Sequence, residues 1–346
     1  MANVGNDIRQ VAGEEHELLL GDRRTATRWP WAAVARRLGS AVATLFGVAV
    51  LVFLALRVIP GNAVTASLGV SAGLLTHAQL LALDHYYGLD QSLPHQFVSW
   101  LGSVLSGNLG YSVRTGQSVA VLTGRALPVT AELAGFSALF GSLLGVGLGA
   151  LAASRPHSLR DGGAQAFGLI GLAVPSFVLG SIIVTLLATA IGYFPNGEAY
   201  ASPTSNLWLN LQQMLFPTLV LGLGFAAIVM RTTRTSMLEV ARLDFVRTAH
   251  GKGLRRSRVA TRHILRNALI PIVTIIGVQF GYLLGGAIVV QQIFSLPGLG
   301  LQLLTGINDR DYAVVQSTVL IIAAAFVVVN TVTDLIYLRL DPRVRS

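Results

Sequence analysis

Asp244-Phe-Val-Arg-Thr-Ala-His-Gly-Lys-Gly253, then Leu254-Arg-Arg-Ser-Arg-Val259, and at the close Arg266-Asn-Ala-Leu-Ile-Pro271, lie in a basic, polar segment from Arg231 to Pro271 that parts two long apolar stretches. The segment holds ten of the chain's 25 Lys and Arg residues. Its pattern predicts two helices with a joint. Asp244 is placed to cap the first helix, with Phe245, Thr248 and Ala249 at i, i+3 and i+4 on one face and Val246 widening the apolar stripe. Gly253 is a natural stop. Ser257 is placed to cap the second helix, which carries Arg258, Arg262 and Arg266 at four-residue spacing and is expected to end before Pro271. The small Ala249 leaves room for a partner surface. The rival reading is a solvated basic loop that obeys the positive-inside rule.

The rest of the composition states which solvent the chain lives in. Hydrophobic residues make up 53% of 346 positions and charged residues 12%, and the mean hydropathy is +0.63. A water-soluble domain would struggle to hide that balance, so an all-α integral membrane protein is expected, with room for about six spans of roughly 20 residues. There is no cysteine, which excludes disulfides and thiolate metal sites. The formal charge of +9 would suggest nucleic acid in a soluble protein. Here it is explained by sorting of bases across a lipid bilayer, and no nucleic-acid partner is expected.

Outward from the basic segment, the apolar runs set the spans. Residues 1–37 read as a cytoplasmic extension: acidic at Glu14, Glu15 and Glu17, then an interfacial helix with Trp29, Trp31 and flanking arginines. The first span is 38–59, and 60–127 is an external segment containing a helix over Leu80 to Leu89 and a glycine-rich run, Gly107 to Gly116. A five-helix core, 128–338, follows. Its second span, 129–153, carries Gly141, Gly145 and Gly149 at four-residue spacing, a flat face suited to close helix packing. The third, 164–191, contains Pro175 followed by Ser176, where a kink or local unwinding is expected. The fourth is 211–230. The fifth, 272–290, repeats the glycine stripe at Gly277, Gly281 and Gly285 and places Gln279 near the bilayer centre, where an amide needs a partner. Gln279, Pro175 and Ser176 are therefore candidates to line a path. The sixth span is 313–335, and 339–346 is a basic tail.

Sidedness follows from a count. With both termini and the 231–271 loop in the cytoplasm, the inside holds six basic residues in the N-terminal region, two near Arg155, ten in the loop and three in the tail, which makes 21 inside against four outside. Six spans and two inner ends agree with that bias.

The basic segment resembles the cytoplasmic coupling loop of ABC importer permeases, the EAA loop, whose pattern is Glu-Ala-Ala, three residues, Gly, and later Ile-x-Leu-Pro. Arg247, Thr248, Ala249 and Gly253 stand at the first places, and Ala268, Leu269, Ile270 and Pro271 at the last; the family's Glu is absent. The Arg-Thr-Ala, Lys-Gly-Leu and Arg-Asn-Ala-Leu-x-Pro elements are similar to those of dipeptide, oligopeptide and nickel permeases. Gly107 to Gly116, Phe294 to Gly300 and the Leu340-Asp-Pro-Arg343 ending are similar to elements of the same permeases, so the likeness runs from the first span to the tail.

The resemblance implies the type I importer permease fold in a prokaryotic inner membrane, similar to the first permease of the dipeptide system. It implies transport of di- or oligopeptides, or alternatively of nickel complexes, glutathione or another small solute. It also implies a second homologous permease, two ATPase subunits that hold ATP and Mg, and an external substrate-binding protein. No cofactor is expected in this chain, which lacks a P-loop, a Gly-x-Ser-x-Gly elbow and a His-Glu-x-x-His pair, so no enzymatic activity is expected. Contact with the ATPases would fall to Asp244, Phe245, Arg247, Thr248, Ala249 and Gly253. A secondary transporter is the other class of reading. It would bury ionisable groups mid-span, where this chain brings only Glu132, toward the outer edge.

Single cysteines at Ser205 and Ser257 test the sidedness. An impermeant thiol reagent on intact cells is expected to label Ser205→Cys and leave Ser257→Cys untouched, and equal labelling would contradict six spans.

Overall fold

The computed structural model describes residues 31–58, 76–86, 90–192, 194 and 199–340. The acidic and basic parts of the N-terminal extension through Trp29, residues 60–75 of the external segment and the tail from Asp341 lie outside them. The chain divides into two compact units, Met1–Phe46 and Gly47–Ser346. Helix α1 (Trp31–Val58) starts in the first and ends in the second. All further elements belong to the second unit: α2 (His77–Tyr86), α3 (Leu93–Leu105), α4 (Val119–Ser154), α5 (Leu159–Ala173), α6 (Ser176–Ile191), α7 (Leu207–Ala241), α8 (Asp244–Gly251), α9 (Arg256–Ile293), α10 (Leu299–Asn308) and α11 (Tyr312–Leu340). The described residues contain no strand beyond one isolated bridge, Tyr111 to Ser118.

Five of these helices are long and apolar enough to cross a membrane, and α5 with α6 make a sixth crossing bent by 95°. Pro175 explains the break. It starts α6 with extended backbone, φ −60° and ψ 140°, and Val174 before it is extended too, as a residue preceding proline prefers.

The pairing of α4 with α7 shows that the bent pair must count as a crossing. A Cβ at Gly141 would meet Phe225 and the Gly222 carbonyl, one at Gly145 the Ala226 carbonyl and Val229, and one at Gly149 the Met230 carbonyl and Thr233, all within 2.6–2.8 Å at closest. Residue numbers rise together on both helices, four by four, so α4 and α7 run parallel. The chain between them has to return to its starting side, and α5 with α6 is the described segment that does so. By the same reading α9 and α11 are antiparallel: Gly277 abuts Thr333, and Gly281 abuts Phe326 and Asn330. Gly285 departs from the expected stripe, since nothing lies within 4 Å of its place for a Cβ.

Three further expectations are corrected. Helix α4 starts at Val119, ten residues before the apolar span, and carries Pro128 inside it. Helix α7 continues to Ala241, so the first quarter of the basic segment is an extension of a membrane helix. The second helix of that segment does not end before Pro271; α9 runs through it to Ile293. A π-helical stretch, Val259–Leu265, precedes the proline. Side chains bond neighbouring carbonyls: Asn267 Nδ2 donates to His263 O at 2.6 Å, and Thr274 Oγ1 to Ile270 O at 2.9 Å.

Gly145→Leu drives a side chain into the α7 backbone, whereas Gly147, on the same helix, has open space beside it. Overpacking of this kind costs about 1–3 kcal/mol. Thermal unfolding of the purified complex is expected to shift down for Gly145→Leu and to stay unchanged for Gly147→Leu.

Candidate coupling element

The short helix α8 hangs from the inner end of the 35-residue α7 by the two residues Arg242 and Leu243. Leu243 stands at the N-cap with no side-chain bond, and Asp244 is the first helical residue, a correction to its expected capping role. Asp244 still places a negative charge at the positive end of the helix. Its 3.5 Å approach to Arg247 joins two exposed side chains and adds little. Thr248 Oγ1 donates to Asp244 O at 3.1 Å. The joint closes through Lys252 N to Thr248 O and Gly253 N to His250 O, with Gly253 at φ +75°, where a side chain would be strained. The second helix likewise starts after Arg255, which leaves Ser257 inside it rather than at its cap.

The direction in which α8 faces differs from expectation. Val246 and Ala249 are buried, and both join the core that contains Val259, Ile264 and Ala268 of α9, with Leu254 packed against it. Ala249 is 6% exposed and so is spent on the chain's own packing, not on a partner. The face left open carries Asp244, Arg247 and Thr248, with Phe245 at its border 41% exposed and Leu243 50% exposed.

The inner end of α7 is fixed by a group that composition did not single out. Asp161, 1% exposed in the first turn of α5, receives Arg234 Nε on Oδ1 at 2.6 Å and Arg234 Nη2 on Oδ2 at 2.9 Å. His157 N also donates to Oδ2 at 2.9 Å, and Gln165 Nε2 to Oδ1 at 3.1 Å, so both carboxylate oxygens are fully used. Ser158 Oγ accepts from Asp161 N and caps α5. The Ser158-x-x-Asp161 spacing was the available signal, being that of a capping box. Its partner lay 73 residues away, among ten similar bases.

At the opposite end, Gln291 is fully buried; it donates to Thr130 Oγ1 at 3.0 Å and accepts from Gly300 N at 2.7 Å, while Leu299 N donates to the same Thr130 oxygen at 2.8 Å. Gly298 and Gly300 lie against the Gln291 side chain, where a Cβ would not fit. The glycine-rich run Gly107 to Gly116 meets the turn before α11 at Asp311, which accepts from Ser112 Oγ at 2.6 Å. Of the path candidates, Pro175 and Ser176 sit at the break between α5 and α6, and Gln279 is half-buried on α9. No described hydrogen bond joins them.

Parallel and antiparallel membrane helices, a span broken at proline and a short basic-side helix held on a long one make a multi-pass α-helical membrane protein. Residues 145–346 match the family described as "Binding-protein-dependent transport system inner membrane component", which is more than half of the chain. The chain is 37% identical over 332 residues to the di/tripeptide transport system permease protein of Pseudomonas aeruginosa, covering 90% of this chain and 98% of that one. It is 34% identical over 315 residues to the oligopeptide permease protein of Bacillus subtilis, covering 90% and 99%. The methionine ABC transporter MetNI in its inward-facing form shares the fold at a TM-score of 0.52 and 17% identity, over 64% of this chain and 96% of that one. The chain therefore belongs to the binding-protein-dependent transport inner-membrane family. It is a permease subunit of an ABC importer.

Asp161 and Arg234 differ in what each loses alone. Arg234→Gln strands a buried carboxylate, for which about 3–5 kcal/mol is typical. Asp161→Asn frees an arginine that keeps a side-chain exposure of 22% and can reach water. Denaturation of the purified complex is expected to rank Arg234→Gln as the more destabilised.

Proposed function

We propose that this subunit passes short peptides through the membrane together with a second, homologous permease, and that the open face of α8 is where one of two partner ATPases takes hold. ATP and Mg belong to those ATPases, and an external binding protein delivers the substrate. The observation that carries the reading is mechanical. Helix α8 is joined to α7 by two residues, its inward side is fused to α9 through Val246 and Ala249, and its other side is free. A pull on that free side moves α7 and α9 together, and α7 lies along α4 through the glycine stripe. Rigid-body motion of packed helices about a fixed element is the form such switching takes. Both termini and the 231–271 segment are assigned to the cytoplasm, in keeping with 21 bases there against four outside.

The peptide reading is supported by relatives named for di/tripeptide and oligopeptide transport over nearly their whole length. A second substrate, glutathione, is favoured by relatives named as glutathione permeases at 35% identity. The two share a chemistry, since glutathione is itself a modified tripeptide.

The role of α8 is tested by Phe245→Ala and Thr248→Glu, which change the open face, and by Gly253→Val, which strains the joint. In the reconstituted complex each is expected to abolish peptide uptake and the stimulation of ATP hydrolysis by loaded binding protein, while the affinity for the binding protein stays unchanged. Normal stimulation in Thr248→Glu would leave the segment as a basic loop without a coupling role. Ala249→Glu belongs to a different class: with Ala249 in the core, it is expected to prevent assembly altogether.

A further inference from the structure

One face of α7 at its inner end carries polar side chains that neither α8 nor the Asp161 pair uses. Arg231, Thr232, Thr235, Ser236 and Glu239 line an open groove of about 420 Å3, walled on its apolar side by Ile228 and by Leu172 of α5. At 100° per residue these α7 positions form one stripe. Arg231 and Glu239 are both exposed and have no ion pair among the described residues. Eight residues separate them, about 12 Å along the axis, which is beyond the four-residue spacing at which helix charges normally neutralise each other. Ser236 is 6% exposed, and its hydroxyl has no hydrogen bond among the described residues, whereas Thr274 and Thr331 bond back to their own helices. Exposed in this groove, the cation, the anion and the hydroxyls between them have no partner among the described residues, which leaves their bonding capacity open to a bound molecule. Leu172 stands three residues before Pro175, so the broken span itself supplies the groove's second wall.

From this geometry we infer that the groove binds a short zwitterionic peptide by its two ends on the inner side of the permease. Arg231 takes the terminal carboxylate with its planar, two-pronged donor set. Glu239 takes the terminal ammonium. The hydroxyls of Thr232, Thr235 and Ser236 lie between them, facing the peptide amides, and Leu172 and Ile228 meet the side chains. Length follows from the two fixed ends: an extended chain gains at most about 3.3–3.6 Å per residue, so about three to four residues bridge the roughly 12 Å between the two positions and much longer peptides overshoot. This assignment rests on the peptide reading above, and the experiment separates the two.

The test is equilibrium binding of radiolabelled trialanine to the purified, nucleotide-free complex without binding protein. Saturable binding by the wild type is expected, with affinity about tenfold or more weaker in Arg231→Gln and in Glu239→Gln, as a lost charge-assisted hydrogen bond implies. End-blocked peptides assign the ends. A C-terminal amide is expected to bind wild type and Arg231→Gln equally, and an N-acetyl peptide wild type and Glu239→Gln equally. Unchanged affinity in both variants overturns the groove as a site, as does an equal loss for every peptide. Wild-type cells that take up trialanine, combined with a complex that shows no saturable binding, overturn the groove alone. Wild-type cells that fail to take it up overturn the peptide reading and the groove with it.

Discussion

Backbone against backbone between α4 and α7 is the contact from which the other features of this subunit take their positions. In lipid no hydrophobic effect drives helices together, so association depends on how closely their atoms approach. Gly141, Gly145 and Gly149 remove side chains from one face of α4, and on α7 Gly222 does the same opposite Phe140 and the Ser137 carbonyl. The interface is repeated every four residues, and α7 is held against α4 along this stretch, on the inner side of its own Pro217. Its outer and inner ends are then free to carry other work.

Each end is held by polar bonds suited to its surroundings. At the inner end a buried carboxylate with four donors ties the start of α5 to α7, close to the turn that carries α8. At the opposite end the amide of Gln291 and the hydroxyl of Thr130 gather the start of α10 onto α4. Buried polar groups fully satisfied in this way favour one arrangement strongly over its neighbours. Among the described residues the sharpest bend between apolar helices is the 95° break at Pro175, and displacement of α7 is expected to be taken up there. The groove of Arg231 and Glu239 opens against that same bent span.

How much of this was legible depended on the range of the interaction. The four-residue glycine spacing on α4, the proline in α5–α6 and the positive-φ glycine at the α8 joint are local, and they stood in the sequence as they stand in the structure. Which side of α8 faces inward was not local. Phe245, Thr248 and Ala249 make as good a helical stripe as Val246 and Ala249, and only the presence of Val259 and Ile264 across the joint chooses between them. Pro271 was read by the rule for soluble helices, whereas a membrane helix tolerates the one bond a proline removes and continues through it. The third glycine of the α9 stripe, Gly285, shows the converse, since regular spacing does not ensure that a neighbour lies opposite. Asp161 and Arg234 needed three dimensions, for nothing local marks one arginine out of ten.

The central physical claim is that α7 and α8 move as one body. Spin labels at Leu215, exposed on the outer half of α7, and at Lys252, exposed just past the end of α8, span that body. Their distance distribution, measured by pulsed electron paramagnetic resonance in the reconstituted complex, is expected to be the same without nucleotide and with ADP trapped by vanadate after hydrolysis, while uptake of peptide continues in the labelled protein. A shift of several ångströms between the two states would show that α8 hinges on its own at Arg242 and Leu243, and would contradict a lever that carries force to α4.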